Sequence, residues 1–472
     1  MFRKLLEALV GEIKSVDAAA WNAQGRAFAG FNSAELTEFH QGRKDLPDLK
    51  EDPRTPEMGA TVLSKVVELN EEGRAKEVRA MFDPAHSPFI AEMEKSQRGM
   101  TFCAILGPDE FLVQQGTYYQ ETTTWHIRGK KISKAARLAA FAWSRNRQHF
   151  LTVLPDGRVT LAPGYGAEPV QDVMVVSGAS FVPADLPDAL KDAFEAPRDD
   201  LGLSHVAVSD DGSKILLCDA NRGVVLLYKS GSEWASQLIY PAVHLSLVED
   251  MREMLQEDEE YRPWLDMLHA TLSPDGRFVA VGHQSDGHHL VDIQDPASPK
   301  TYAMLGHLSE YPHDACFSDD SGQVAFNSCH FYNGITFSSE INEVEGLETS
   351  LGEQHKSQTI LNSYLRVYAS GFVPASMTLS AEEGGFLLAG SGFTNCVTAD
   401  GQVLWEMEHG SSAGGVDVCP KTGQVLLASY SGFLHLLDPK EQQDPPLLSG
   451  YQAPTEKRRW IFWDQLEQPL IW

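Results

Sequence analysis

Histidines and carboxylates gather in one short stretch of this chain. His283, His288 and His289 stand close to Asp286, and Asp292 follows. Imidazoles and carboxylates at that density are a ligand set for zinc or another divalent ion. Adjacent histidines on a strand point to opposite faces, however, so His288 and His289 cannot both meet one ion. The stretch is therefore read as a polar loop, and no metal or other cofactor is expected. Gly410-Ser411-Ser412-Ala413-Gly414 satisfies G-x-S-x-G. In α/β-hydrolases that serine sits between a strand and a helix. Here the strand-like VDVC (416–419) follows, which makes 410–414 a loop and leaves Ser412 without a catalytic role. No G-x-x-x-x-G-K-[ST] is present, and no G-x-G-x-x-G links a strand to a helix, so nothing cradles a phosphate. His149 reads as a core or edge residue of a strand. No nucleophile and base stand together, and the chain is expected not to be an enzyme.

The loop holding those histidines belongs to a strand meander, MLHATLSPDGRFVAVGHQSDGHHLVDI (267–293). Pro274-Asp275-Gly276 suits a tight hairpin turn, because Asp and Gly tolerate left-handed backbone and Pro presets the entry. Phe278 to Val281 form a nearly continuous apolar run, as in a strand buried on both faces. The layout recurs in VAVSDDGSKILLCDANRGVVLLY (206–228), ACFSDDSGQVAFNSCHFYNGITF (315–337), MTLSAEEGGFLLAGSGFTNCVTA (377–399) and VDVCPKTGQVLLASYSGFLHLLD (416–438). Weaker copies are FCAILGPDEFLVQQG (102–116) and FAWSRNRQHFLTVLPDGRVTL (141–161). With Gly107, Ser144, Ser209, Ser273, Ser318, Ser380 and Cys419 as anchors, the spacings are 37, 65, 64, 45, 62 and 39. A four-stranded propeller blade takes about 40–45 residues, so three spacings fit it and three fit it with an insertion of about 20. The expectation is an all-β, seven-bladed β-propeller.

These residues resemble the WD-repeat branch of the propeller superfamily. The S-P/D-D-G turn is similar to its first hairpin, and GHLSEYPHDACFSDD (306–320) to its Gly-His element. The resemblance implies that His307 and His313-Asp314 stitch blades together by hydrogen bonds. The Trp-Asp dipeptide that closes a regular repeat is replaced by Leu227-Tyr228, Asp292-Ile293 and Leu437-Asp438, and the one Trp463-Asp464 lies in the tail. ADGQVLWEME (399–408) is closer to a quinoprotein-type blade. Propellers host scaffolds, receptors and enzymes alike.

Around the repeats the chain is read as residues 1–100, an α-helical cap, and 101–472, the propeller, with insertions near 178–200, 231–268 and 338–362. Phe2, Leu5, Leu6, Leu9, Ile13 and Val16 recur at helical spacing. Val62, Leu63, Val66, Val67, Val78 and Met81 do so again, with Gly73 separating two helices and a third short helix after Pro88. The aromatic end, EKRRWIFWDQLEQPLIW (456–472), is expected to add a strand or seal the ring, because such rings bury large apolar area.

Thirty-eight Lys and Arg against 66 Asp and Glu leave a net charge of −28. That opposes nucleic acid and anionic membranes, both of which draw on clustered basic side chains. Glu7 and Glu12 interrupt any export signal, and no stretch approaches a membrane span. The six cysteines form no C-x-x-C pair and read as buried thiols, consistent with the cytoplasm. The insertion at 244–268 carries Glu249, Asp250, Glu253, Glu257, Asp258, Glu259 and Glu260 against Arg252, with Tyr261 and Trp264 behind them. An amphipathic acidic helix with aromatic anchors is expected there. Glu253, Glu257, Asp258, Glu259, Tyr261 and Trp264 are the candidate partner-binding residues. Two functions from different classes are compatible with these features. One is a non-catalytic module holding a basic protein, such as an inhibitor or immunity protein masking a toxin. The other is a lactonase-like or quinoprotein-like oxidoreductase with its site at the central channel.

Overall fold

The structure is a computed structural model. It describes residues 17–472 except 97, 118–119, 182–200, 221, 245–248, 251–252, 255–256, 258–264, 332 and 380–381. The apolar stripe from Phe2 to Val16 therefore lies outside the described residues. Helix α1 (Ala18–His40) starts where the Asp17 carboxylate accepts the Ala20 N–H at 2.9 Å, and it buries Trp21, Gly25, Ala29, Asn32 and Leu36 along one stripe. Helix α2 (Pro56–Glu71) has Thr55 as its cap and a proline in its first turn, where a missing N–H costs nothing. Gly73, at φ +73°, turns the chain into the short α3 (Val78–Met81), and α4 (Ile90–Ser96) follows.

Antiparallel meanders make up the rest. Met100–Gly107, Glu110–Gln115, Thr123–Arg128 and Lys131–Lys134 form the first sheet. Ala140–Trp143 to Gln171–Val175 form the second, and Leu203–Val208 to Glu233–Tyr240 the third. His269–Leu272 to Lys300–Leu305 make the fourth, and Tyr311–Phe317 to Thr359–Asn362 the fifth. Inner strands of successive sheets touch, and the strand ending at Cys419 touches Met100–Gly107, which closes a ring about a channel. The chain is a β-propeller.

The count of seven blades is corrected to five. Those five stand as separate four-stranded sheets, whereas the strands after residue 366 form one eight-stranded sheet. The strand Val403–Cys419 causes this, because it runs unbroken through the segment expected to be a loop. Its first half pairs with Gly385–Val397 and its second with Gln424–Ser429. Gly410, at φ +84°, supplies the bend, and side chains at Gly414 and Gly415 would strike the Met100 and Thr101 carbonyls.

Four of the serine anchors mark one recurring turn, and Ser380 lies outside the described residues. Ser273 Oγ donates to Asp275 Oδ1 at 2.6 Å and accepts the Phe278 N–H at 2.9 Å. Ser209 bonds Asp211 and the Lys214 N–H, Ser318 bonds Asp320 and the Gln323 N–H, and Ser144 bonds Asn146 and the His149 N–H. At that end the ring is filled by arginines. Arg147 donates to Asp417 Oδ2 at 2.8 Å, and Arg145 pairs with Asp319.

The helices pack on the last sheet. Trp21, Leu63, Val66, Phe82 and Phe89 share a core with Phe433, Ile461, Trp463, Leu470 and Trp472. The aromatic C-terminus adds the strands Pro454–Ile461 and Leu470–Ile471 to that sheet. Polar ties hold the seam: Arg79 donates to Glu456 Oε2 at 2.8 Å, and Arg459 to the Ala85 carbonyl at 2.7 Å. Among the described residues no helix is long and apolar enough to cross a membrane. The cysteines form no disulfide, and burial pushes the Cys218 and Cys316 thiols up to about 12.

Candidate functional site

In an antiparallel four-stranded blade, the loop between the second and third strands and the connection to the next blade emerge on one face. Three features share that face: the histidine loop at 283–287, the acidic insertion after residue 244, and the mouth of the channel.

The mouth opens into a cavity of about 570 Å³. His205, Asp266, His313, Asp314, Arg366 and Tyr368 line it. His313 Nδ1 donates to the Val367 carbonyl at 2.6 Å, so Nε2 is left to accept Arg366 Nη2 at 3.0 Å. That bond ties the fifth sheet to the next inner strand, the stitching role implied for this histidine. His307 instead bonds the Ser309 carbonyl within its own segment. Burial, with Arg366 beside it, pushes His313 down to about 3, so the ring is neutral. Arg366 also donates to the Phe331 carbonyl at 2.6 Å and lies 4.9 Å over the Tyr368 ring. Among the described residues no carboxylate pairs with Arg366. Burial pushes Asp314 up to about 7, partly offset by the Ser370 hydroxyl and the Ala315 N–H. A cation and a carboxyl that exchanges its proton near neutrality can bind a polar group here. The serine–imidazole contact of the lining is Ser204 Oγ to His205 Nδ1 at 3.0 Å, between neighbours on one strand. No carboxylate orients that imidazole among the described residues, as an activated nucleophile requires.

The acidic insertion is partly described. Glu249, Asp250, Glu253, Met254 and Glu257 have helical backbone and are exposed. Asp258, Glu259, Tyr261 and Trp264 lie outside the described residues. Leu265 and Leu268, which follow, are buried with Leu216, Val224 and Val279 between the third and fourth sheets. The root of the insertion is thus anchored in the core.

The histidine loop splits as its strand register demands. His288 turns inward, 4.7 Å from the Phe326 ring. His289 turns the other way, and its Nε2 meets Asp286 Oδ2 at 2.6 Å. His283 accepts the Ser285 N–H through Nδ1, and burial pushes it down to about 4. Asp292 stands apart, bonded to Arg277. Two residues that sequence reading missed complete the group. Tyr240 donates its hydroxyl to Asp286 Oδ2 at 2.8 Å, and His244 Nδ1 lies 3.5 Å from the same oxygen. Tyr240 ends the outer strand of the preceding blade and His244 follows it, so no local spacing in the sequence joins them to Asp286. Ser412 lies inside the long strand opposite Ser391, not on a nucleophile turn.

No family model and no curated protein matches the chain. Among solved structures it is similar to the crystal structure of the Myceliophteria thermophila Cps50 (Swd1) β-propeller domain, at 9% identity and a TM-score of 0.41, over 67% of this chain and 89% of that one. The propeller assignment rests on the sheets themselves.

Proposed function

We propose that the chain is a non-catalytic propeller that binds a basic protein partner on the face carrying the acidic insertion. The exposed helical carboxylates Glu249, Asp250, Glu253 and Glu257, rooted by buried Leu265 and Leu268, carry the reading. A net charge of −28 adds long-range attraction for a cationic partner and repels nucleic acid and anionic membranes. In this reading residues 1–100 buttress the propeller of 101–472, and the protein works in the cytoplasm as an inhibitor or immunity protein that masks a basic toxin. Glu253, Glu257, Asp258, Glu259, Tyr261 and Trp264 form the contact surface.

The test begins with a partner purified from the native host. Reversing Glu257, Asp258 and Glu259 to lysine is expected to slow association and remove most of its salt dependence. Unchanged association kinetics would reduce the insertion to a solvated face. Trp264→Ala separates an anchor from a core residue. An anchor loses about 2 kcal/mol or more of binding at wild-type stability. A core tryptophan loses about 3–5 kcal/mol of folding stability instead.

The channel cavity favours a second reading, an enzyme of lactonase or quinoprotein type. Its specific observation is the buried Asp314 carboxyl lining that cavity, pushed up to about 7 by burial. Turnover of a lactone or alcohol panel that disappears in Asp314→Asn would favour it over binding.

A further inference from the structure

We propose that His244, Asp286 and His289 bind a divalent cation, zinc by preference, at the root of the acidic insertion. The inference concerns this site and stands whether or not the insertion holds a partner. One donor atom from each residue lies within 4.8 Å of the other two. Two imidazole nitrogens with one carboxylate oxygen suit zinc and its first-row neighbours better than magnesium or calcium, which prefer oxygen.

The set is built into the fold. His289 belongs to the strand His288–Asp292, Asp286 to the loop before it, and His244 to the connection from the third sheet. Their side chains are 1%, 11% and 24% exposed, so the site is shielded and still open on the His244 side. The carboxylate is oriented before any ion arrives. Gly287 N–H holds Oδ1 at 2.7 Å, and the Tyr240 hydroxyl holds Oδ2 at 2.8 Å. Such outer contacts fix the direction of a metal-binding carboxylate.

A plain aspartate–histidine hydrogen bond is the rival account. It satisfies Asp286 but, among the described residues, leaves the buried His244 Nδ1 without a hydrogen-bond partner. An ion between the three donors uses that nitrogen. Three protein ligands leave a fourth tetrahedral position for water. Metal loading thus fastens the foot of the insertion to the fourth blade.

The full chain, stripped with chelator and desalted, is titrated with zinc chloride by calorimetry, and the dialysed product is assayed by elemental analysis. One equivalent of zinc is expected. His244→Ala and Asp286→Asn should each weaken binding at least about tenfold, with unchanged circular dichroism. Cobalt substitution should give visible bands of nitrogen and oxygen ligation, without the thiolate charge transfer that a cysteine site would show. Absence of zinc uptake by the wild type, equal uptake by both variants, or a thiolate band overturns the proposal.

Discussion

Ser273 is fully buried, and its hydroxyl serves three groups at once: the Asp275 carboxylate and the N–H groups of Arg277 and Phe278. No backbone partner can replace it, because the turn has already reversed. Ser273→Ala should therefore cost about 1–3 kcal/mol in urea unfolding, the desolvation of the groups left behind. A loss indistinguishable from that of an exposed serine would mean the turn is held by Asp275-Gly276 alone. Such an anchor was legible because a turn is local, and Ser273, Asp275 and Gly276 sit within four residues. The histidine cluster was legible only in part. Strand alternation correctly sent His288 and His289 apart, but His244 comes from another blade, and no spacing rule reaches across a fold.

The strand Val403–Cys419 shows what composition conceals at the level of an element. Gly-Ser-Ser-Ala-Gly has the residues of a loop, yet its backbone is paired on both sides, Ser391 with Ser412 and Ala413 with Ser429. Small side chains were selected there by close approach, not by flexibility. A Cβ on Gly410 would lie 2.4 Å from Cγ of His86, on the helical side of the seam. Gly410→Ala combines that clash with a left-handed backbone, so a loss of at least about 1–3 kcal/mol is expected, with Trp21 and Trp472 fluorescence reporting a loosened seam. Ser412→Ala in the same strand should stay within about 0.5 kcal/mol of wild type. If both variants behaved alike, the glycine would be a loop residue after all. The aromatic tail, by contrast, was readable as added strand, because tryptophans at that density must be covered.

At the scale of the molecule, the pH dependence of stability should carry the mark of Asp314. Folded, its carboxyl holds a proton up to about pH 7; unfolded, it releases it near the ordinary value of 3.8. Between those limits the folded state binds more protons, so this residue's effect is absent at low pH and lowers stability as pH climbs toward 7. The three-unit difference corresponds to on the order of 4 kcal/mol. Asp314→Asn should remove that decline, which urea unfolding at pH 5 and pH 8 would measure; parallel curves for the two proteins would refute it. Ring size was the part of the architecture that repeats alone could not supply. Equal copies announce equal sheets only if the chain breaks between them, and the last connection does not break. Trp21 and Phe89 of the helical region, meanwhile, share their core with Trp463 and Trp472. On a ribosome adding about 5–20 residues each second, those early side chains wait on the order of half a minute for the surface that covers them. Until then the nascent chain carries an uncovered apolar stripe, a ready handle for chaperones, and a transcript that stops short yields a product whose first residues never find their cover.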